Sequence, residues 1–230
     1  MVRMMEIAGR QVGDMQPCFV IAEIGVNHNG KVTFAKRLID AAVETKCDAV
    51  KFQTFKAERL ATATAPQAAY QRKTAGGGDT QVEMLKRLEL SADAHQELFV
   101  YCRTRGIRCL SAPFDEESAD LLDELDVPAF KIPSGELTNL PLVRHVARKG
   151  KPMIVSTGMA TLAEIAAADT TVRAVNPHLV LLHCVSSYPA DPASVNLRAM
   201  HTMQNVFKVP VGYSDHTLGI EVAVAAVAMG

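Results

Sequence analysis

The sequence lacks several features that would assign it to a specialised class of protein. It contains no tryptophan, and aromatic residues make up only 5% of its 230 residues. No apolar run reaches the ~18 residues of a membrane-spanning helix, and the first ten residues do not resemble a signal peptide. The formal net charge of −1 provides no basic footprint for nucleic acid. We therefore expect no nucleic-acid partner and no membrane partner.

The cysteines also exclude a class of protein. There are five of them, scattered along the chain, and none form a Cys-x-x-Cys pair. This spacing argues against a disulfide framework and against a zinc ribbon. Most of them lie in or beside apolar runs, where cysteine is usually a small buried hydrophobe. A reducing, cytoplasmic location is the expectation.

The sequence does contain a regular alternation of short apolar strands and amphipathic helices. The predicted strands are 18–23, 49–53, 108–111, 129–132, 153–156, 180–184 and 209–213. The predicted helices are 34–45, 92–105, 117–125, 140–148, 162–175, 197–207 and 220–229. Ser91 and Thr161 are predicted N-caps, the latter with Glu164 three residues later, and Gly106 and Gly150 lie where helix C-caps belong. Strands that are almost continuously apolar favour a parallel sheet that is buried on both faces. Seven successive βα units favour an α/β fold of the (β/α)8 TIM-barrel type over a doubly wound sheet.

The predicted domain organisation is a single catalytic barrel over residues 1–230. A short hairpin at about residues 4–16, with turn residues around Gly9 and Arg10, is expected at the bottom of the barrel. Seven strands do not close a barrel that normally has eight. We therefore expect this chain to be a fragment that ends before the eighth strand.

The connection between Thr54 and Leu90 is much longer than an ordinary loop of a βα unit. It contains Pro66, Tyr70 and the glycines 76–78, and residues 82–88 have a helical pattern. A long, ordered loop after a barrel strand is typical of a lid or a binding loop. A disordered insertion is the alternative.

Polar side chains follow several of the predicted strands, at the end where barrel enzymes carry their active sites. Lys51 and Lys131 lie in apolar strands, where a buried ammonium is costly unless it has a partner. Together with Ser134, Ser156 and Ser214 they would suit a phosphate or carboxylate ligand. Purely structural ion pairs and a Schiff-base lysine are alternatives.

Glu23 is the best candidate for a catalytic acid or base, because a carboxylate at the end of an apolar strand needs a partner. A structural Glu23–Lys51 ion pair is the alternative. His216 follows Asp215 at a strand end, and it is either a packed residue or a metal ligand whose ring Asp215 orients. The chain offers no His-x-x-His pair, so a metal would need further ligands.

Seven motifs then occur in a fixed order. They are Ala-Glu-Ile-Gly-Val-Asn-His-Asn-Gly, Val-Lys-Phe-Gln-Thr-Phe-Lys, Ser-Ala-Pro-Phe-Asp, Phe-Lys-Ile-Pro-Ser-Gly-Glu, Ser-Thr-Gly-Met, Leu-His-Cys-Val-Ser-Ser-Tyr-Pro-Ala and Gly-Tyr-Ser-Asp-His-Thr. By these motifs the chain resembles the sialic acid (N-acetylneuraminate) synthase family, in its bacterial branch that includes the legionaminate synthases. The resemblance covers about residues 4–230.

The resemblance implies a metal-dependent condensation of phosphoenolpyruvate with an N-acetylmannosamine-type aldehyde, which gives a sialic acid and phosphate. Glu23 would be the catalytic acid/base, Gln53 and Tyr188 would contact the amino sugar, and His216 would bind Mn²⁺ or Mg²⁺. The residues that would bind phosphoenolpyruvate are Lys51, Lys131, Ser134, Ser156 and Ser214. The family also implies a homodimer when full length and a C-terminal antifreeze-like domain, which is absent from these 230 residues.

Three departures from the family pattern keep alternatives open. Ala112 replaces a phosphate-binding threonine, so that one donor is missing or Ser111 replaces it. Ser186 and its neighbours differ from the asparagine-bearing version of that motif in several N-acetylneuraminate enzymes, which leaves legionaminate- and pseudaminate-type precursors open. The Glu-Lys-His-Phe segment of the family would begin after Gly230. Another phosphoenolpyruvate-dependent synthase that makes a 3-deoxy sugar acid, and a non-catalytic truncated barrel, are the remaining alternatives.

Overall fold

The computed structural model describes residues 4–75 and 79–230. The predicted glycine run 76–78 lies outside the described residues. Contacts divide the chain into two compact units, one formed by Val20–Val127 and the other by Met1–Phe19 together with Pro128–Gly230. The assignment of residues 1–230 to one domain stays a prediction.

The chain begins with the predicted hairpin. Strand β1 (Met5–Ile7) pairs antiparallel with β2 (Arg10–Val12), and the turn between them has positive φ angles at Ala8 and Gly9. Met5 lines a cavity of about 160 Å³ with Leu179 and Pro210, at the point where two strands of the same unit begin. The hairpin therefore lies at the amino-terminal end of these strands, the end where it was expected.

The unit Val20–Val127 contains three parallel strands, with β3 paired to β4 and β4 paired to β5. Its elements are β3 (Ile21–Gly25), α1 (Val32–Glu44), β4 (Ala49–Thr54), α2 (Ala57–Leu60), α3 (Ala69–Ala75), α4 (Gln81–Leu88), α5 (Ala92–Arg105), β5 (Arg108–Pro113) and α6 (Glu116–Glu124). Ile39, Phe52, Leu98 and Leu110 are almost fully buried, which places the core of this unit between its strands and helices.

Local signals fix where α5 begins and ends. The side chain of Ser91 accepts a hydrogen bond from the amide of Ala94, so it serves as the predicted N-cap. Gly106 follows the last helical residue with φ +72°, a left-handed conformation that glycine adopts without steric cost. Both caps were predicted from the sequence and are confirmed.

The described part of the long connection after β4 is ordered. Its helix α4 covers the predicted helical residues 82–88 and begins with a capping box between Thr80 and Glu83. Phe55 and Ala57 are buried against α4, and partly buried side chains such as Phe114 pack around them. The connection therefore has a small hydrophobic core of its own, as expected for an ordered loop and not for a disordered insertion.

The second unit contains four parallel strands, paired in the order β6, β7, β8 and β9. Its elements after the hairpin are β6 (Phe130–Ile132), α7 (Leu140–Ala147), β7 (Met153–Ser156), α8 (Leu162–Arg173), β8 (Leu179–Cys184), α9 (Arg198–Phe207), β9 (Val211–Ser214) and α10 (Glu221–Ala228). Thr161 and Glu164 form the predicted capping box at the start of α8.

Every predicted strand and helix is present, with ends shifted by a few residues. The largest shift is in β3, which begins at Ile21 and not at residue 18. In both units each parallel strand is followed by at least one helix, as the predicted βα repeat requires. Within the described ranges, no helix combines the length and the apolar character needed to cross a membrane.

Candidate active site

Strands β3 and β4 bring the predicted acid/base and one predicted lysine into direct contact. Glu23 and Lys51 are partners in the parallel register, and the Nζ atom of Lys51 lies 2.6 Å from Oε2 of Glu23. The lysine side chain is only 7% exposed, whereas the glutamate side chain is 51% exposed. The ion pair considered from the sequence therefore exists, and it leaves the carboxylate accessible.

Gly25 lies beside this carboxylate. The register of β3 shifts between Glu23 and Gly25, and Gly25 has φ +52°. A Cβ atom at Gly25 would lie 2.8 Å from Oε1 of Glu23 and 3.5 Å from Nε2 of Gln53. Gln53, the predicted sugar contact, thus lies in the same cluster as Glu23 and Lys51.

The structure does not favour Ser111 as a substitute phosphate donor. Across β4 and β5, Ala112 is the register partner of Gln53, while Ser111 is the partner of Phe52. Because successive side chains of a strand point to opposite faces, Ser111 lies on the face opposite Gln53. Its hydroxyl lies 2.7 Å from the hydroxyl of Thr54 and is fully buried.

Two histidines of this unit are buried, and one of them, His95, is bonded to Thr54. Nε2 of His95 lies 2.7 Å from Oγ1 of Thr54, and burial lowers the pKa of His95 to about 4. His28 is fully buried in the Asn-His-Asn-Gly turn, where its Nδ1 accepts from the amide of Gly30. Desolvation also lowers the pKa of His28. Both rings are therefore held as neutral packing residues.

In the second unit, two predicted serines form a chain of hydrogen bonds. The amide of Gly158 donates to Oγ of Ser134 at 3.0 Å, and Ser134 donates to Oγ of Ser156 at 3.1 Å. Ser134 is half-buried, whereas Ser156 is 0% exposed. Ser134 is therefore the member of this pair that a ligand can reach.

His216 is held by groups other than the predicted one. Its Nδ1 lies 2.8 Å from the carbonyl oxygen of Val185 and 3.8 Å from Sγ of Cys184. Its ring packs on the ring of Tyr188, with 4.2 Å between the centroids. Asp215 does not orient the ring as suggested from the sequence, because its Oδ1 accepts from the amide and hydroxyl of Thr217.

Cys184 is a member of this cluster that the sequence argument treated only as a small hydrophobe. Burial by itself would raise the pKa of its thiol, but hydrogen bonds from His216, Ser134 and Ser156 favour the thiolate and bring the pKa to about 6. The same bond to Cys184 raises the pKa of His216, and burial and the nearby charge of Lys131 oppose that rise. Its place at the end of β8, opposite Ser214 of β9, is visible only in the strand register, which no local pattern of the sequence encodes.

The predicted site residues thus fall into two clusters, one in each unit. As whole residues, Lys51 and Lys131 are only 6% and 8% exposed, so neither side chain projects into solvent. Their convergence on one ligand stays a prediction. Within the parts of the chain that the structure describes, no group of three or more His, Cys, Asp and Glu side chains is arranged to hold a metal ion.

Each cluster has a distinct chemical capacity. An accessible carboxylate on a buried ammonium can accept and return a proton at a fixed position, since its partner orients it. Serine hydroxyls and a buried lysine can hold an oxyanion. An imidazole whose Nδ1 is bonded to a backbone carbonyl presents Nε2 as a possible metal ligand.

Comparison with known proteins identifies the family of the chain. The chain matches the model of the NeuB family over residues 38–230. It is 51% identical over 223 residues to the N,N'-diacetyllegionaminic acid synthase of Legionella pneumophila. This match covers 95% of this chain and 63% of that protein. It is 47% identical over 219 residues to the protein of the same name from Campylobacter jejuni, which covers 94% of this chain and 66% of that protein. The chain spans less than two thirds of the length of either relative.

A solved structure shows the same fold. The N-acetylneuraminic acid (sialic acid) synthetase from Leptospira borgpetersenii matches with a TM-score of 0.88 and 32% identity, over 100% of this chain and 76% of that chain. This likeness confirms the predicted (β/α) barrel class. The chain belongs to the NeuB family, the sialic acid synthase family whose bacterial branch includes the legionaminate synthases.

Proposed function

We propose that this chain forms the barrel of a transferase that condenses phosphoenolpyruvate with an N-acetylmannosamine-type aldehyde. The enol carbon of phosphoenolpyruvate attacks the aldehyde carbon, and the aldehyde oxygen gains a proton. Water adds to the carbon that bears the phosphate, the C–O bond breaks, and phosphate leaves. The product is a sialic acid of the N-acetylneuraminate or legionaminate type. The observation that carries the proposal is the accessible carboxylate of Glu23 on the buried ammonium of Lys51.

Glu23 is the proposed catalytic acid/base. Its side chain is half exposed, so an aldehyde or a water molecule can reach it, and its contact with Lys51 fixes its direction. A general base must lie within hydrogen-bond reach of the proton that it moves. Gly25 supports this role because it has no Cβ. The carboxylate of Glu23 occupies the space that a Cβ at this position would need.

The proposed contacts to phosphoenolpyruvate are hydroxyl and ammonium groups at strand ends. Lys131 is buried near His216, and Ser214 is the register partner of Cys184. Ser134 would contact the ligand directly, and Ser156 would act through Ser134, because its own side chain is fully buried. Lys51 would add a second ammonium. Lysine suits both the phosphate and the carboxylate of such a ligand because it is a compact positive charge.

His216 is the proposed protein ligand of Mn²⁺ or Mg²⁺. Its ring fits this role because Nδ1 is bonded to the carbonyl of Val185 and the ring is packed on Tyr188. A bound divalent cation would polarise the aldehyde oxygen. Since His216 is a single ligand, the remaining positions would be filled by water, by substrate or by residues outside these clusters.

Gln53 and Tyr188 are the proposed contacts to the amino sugar. The amide of Gln53 lies in the cluster of Glu23, and the side chain of Tyr188 is exposed beside His216. We also propose that the full-length protein is a cytoplasmic homodimer, for which the family resemblance is the support. The choice between N-acetylneuraminate and legionaminate types depends on the acceptor sugar.

A coupled phosphate-release assay on the full-length protein tests this function. The assay offers phosphoenolpyruvate with N-acetylmannosamine and, side by side, with the diacetylated 6-deoxy mannose analogue. Release that requires one of the two sugars supports the proposal and identifies the acceptor. Release without a sugar, or no release with either sugar, contradicts it.

A further inference from the structure

Gly158 lies among the predicted anion-binding residues. Its backbone conformation does not require glycine, but the space around its Cα does. The residues with left-handed φ angles in the described chain include Gly25, Gly30 and Gly106, but Gly158 is not among them. An alanine could therefore adopt the backbone conformation of Gly158 without strain. What an alanine would lack is space.

The space beside the Cα of Gly158 is occupied by three polar side chains. A Cβ atom there would overlap the hydroxyl of Ser186, and it would lie 2.9 Å from Oγ of Ser134 and 3.2 Å from Sγ of Cys184. Contacts below 3.0 Å are almost never seen for a real Cβ atom, so at least two of the three side chains would have to move. Ser186 and Ser134 therefore approach the same point, and both hydroxyls keep these positions only if residue 158 has no Cβ.

The backbone amide of Gly158 also fixes the position of the Ser134 hydroxyl oxygen. The amide donates to Oγ of Ser134, and the proton of Ser134 is directed to Ser156. The bond from the amide fixes the position of the oxygen, and the single hydroxyl proton can turn from Ser156 to an oxyanion when one binds. Ser134 is therefore held in place before any ligand arrives.

We propose that Gly158 is a positioning residue for a compact oxyanion. Its amide fixes Ser134, and its bare Cα leaves the room in which the hydroxyl of Ser186 joins Ser134 at one ligand. The inference rests on the proposed function in one respect, because the oxyanion it assigns to this place is the phosphoryl or carboxylate group of phosphoenolpyruvate. It adds Gly158 and Ser186 to the residues on which affinity for that group depends.

Gly135 provides a matched control beside Ser134, in the segment that follows β6. It follows Ser134 directly, it is not among the residues with positive φ, and a Cβ atom there would meet no atom within 4 Å. A methyl group added at Gly135 therefore tests the effect of alanine in this place without the collision. A methyl group added at Gly158 tests the collision itself.

The experiment measures binding of phosphoenolpyruvate and, separately, of inorganic phosphate by calorimetry, for the wild type, G158A and G135A. G158A is expected to weaken phosphoenolpyruvate binding by about tenfold or more, since the lost contacts are hydrogen bonds to a charged group. G135A is expected to bind like the wild type. In steady-state kinetics G158A should raise the KM for phosphoenolpyruvate and leave the KM for the sugar unchanged, which a general loss of structure would not do.

A second variant keeps the inference testable if G158A does not fold. S186A removes the hydroxyl that a Cβ at position 158 would overlap, and it should weaken phosphoenolpyruvate binding by itself. The double variant G158A/S186A should bind phosphoenolpyruvate more weakly than S186A alone, because a Cβ at position 158 would still lie 2.9 Å from Oγ of Ser134. Unchanged phosphoenolpyruvate affinity in both G158A and S186A overturns the inference.

The two probes separate this inference from the proposed function. A wild type that binds phosphate but not phosphoenolpyruvate contradicts the proposed function, and the inference is then judged on the loss of phosphate binding in G158A. A wild type that binds neither contradicts both. Equal weakening by G158A and G135A would show a general disturbance of the loop and would also overturn the positioning role.

Discussion

The ammonium of Lys51 lies 2.6 Å from the carboxylate of Glu23, and the two residues differ sharply in exposure. They are direct register partners on neighbouring parallel strands, so their backbones hold the pair at a fixed separation. The lysine is almost completely enclosed, whereas half of the glutamate side chain is open to solvent. The pair therefore joins a charge that is fixed inside the protein to one that a substrate can contact.

The first prediction concerns the acid/base. In E23Q the amide keeps the shape of the side chain and can still accept a hydrogen bond from Lys51, but it cannot exchange a proton. We expect phosphate release to be abolished while phosphoenolpyruvate binding, measured by calorimetry, is retained. Activity that persists in E23Q would remove Glu23 from the mechanism.

A matched control for E23Q exists in the same unit. Glu97 is bonded to Lys36 at 2.7 Å, and its side chain is 54% exposed. E97Q therefore removes a similarly exposed carboxylate from a lysine pair that has no proposed role. It should leave both phosphate release and phosphoenolpyruvate affinity unchanged.

The second prediction concerns the metal. Chelation with EDTA should stop phosphate release by the full-length protein, and added Mn²⁺ should restore it, because a cation at His216 would polarise the aldehyde oxygen. H216Q should weaken Mn²⁺ binding, measured by electron paramagnetic resonance of the free ion. H201Q is the control, since Nε2 of His201 is bonded to the carbonyl of Met229 outside the site. Indifference of the enzyme to chelation would count against a metal at His216.

The third prediction concerns stability against pH. Burial lowers the pKa of His95 from 6.5 to about 4, so the folded protein favours the neutral ring. This contribution to stability is fully present above the unfolded value near 6.5, and it is lost as the pH falls from there towards 4. At pH 5 the loss should reach about 2 kcal/mol, at 1.36 kcal/mol for each pKa unit.

Urea unfolding at pH 7 and pH 5 measures this effect. H95Q keeps a group that can bond to Thr54 but removes the titration, so its free energy of unfolding should change less between the two pH values. H178Q, at an exposed histidine, should follow the wild type. Identical pH dependence in H95Q and the wild type would show that the titration of His95 does not contribute to stability.

The fourth prediction concerns the helix that follows the Gly158 loop. Thr161 caps α8 by accepting from the amide of Glu164, and the carboxylate of Glu164 accepts from the amide of Thr161. T161A should lower the free energy of unfolding by about 1 kcal/mol, as is usual for the loss of an N-cap. T161S keeps the hydroxyl and should cost much less. Equal losses in the two variants would show that the cap contributes little.

The sequence predicted the strands and helices well because the signals for them are local. The caps at Ser91, Thr161 and Gly106 depend on hydrogen bonds and φ angles within a few residues, and all three are present. The apolar runs that predicted β4 and β5 are buried as expected. The pairing of Glu23 with Lys51 could also be considered from the sequence, since both lie at the same height in neighbouring strands.

Other features depend on which face of a strand a residue occupies, and no periodic pattern in the sequence encodes that. A strand buried on both faces is apolar at nearly every position, so alternation does not show that Ser111 points away from Gln53. The contact between Cys184 and His216 joins residues far apart in the sequence, and no local pattern encodes it. The same holds for His95, whose bond to Thr54 becomes visible only when α5 packs on β4.

The small core around Phe55 and α4 gives the connection after β4 a degree of independence from the sheet. The apolar side chains of this segment are buried against one another. Substitutions at its exposed positions should therefore cost the strands little stability. Gln53 and Thr54 lie at the point where this segment leaves β4. The exposed positions of this segment can therefore vary while the strands keep their register.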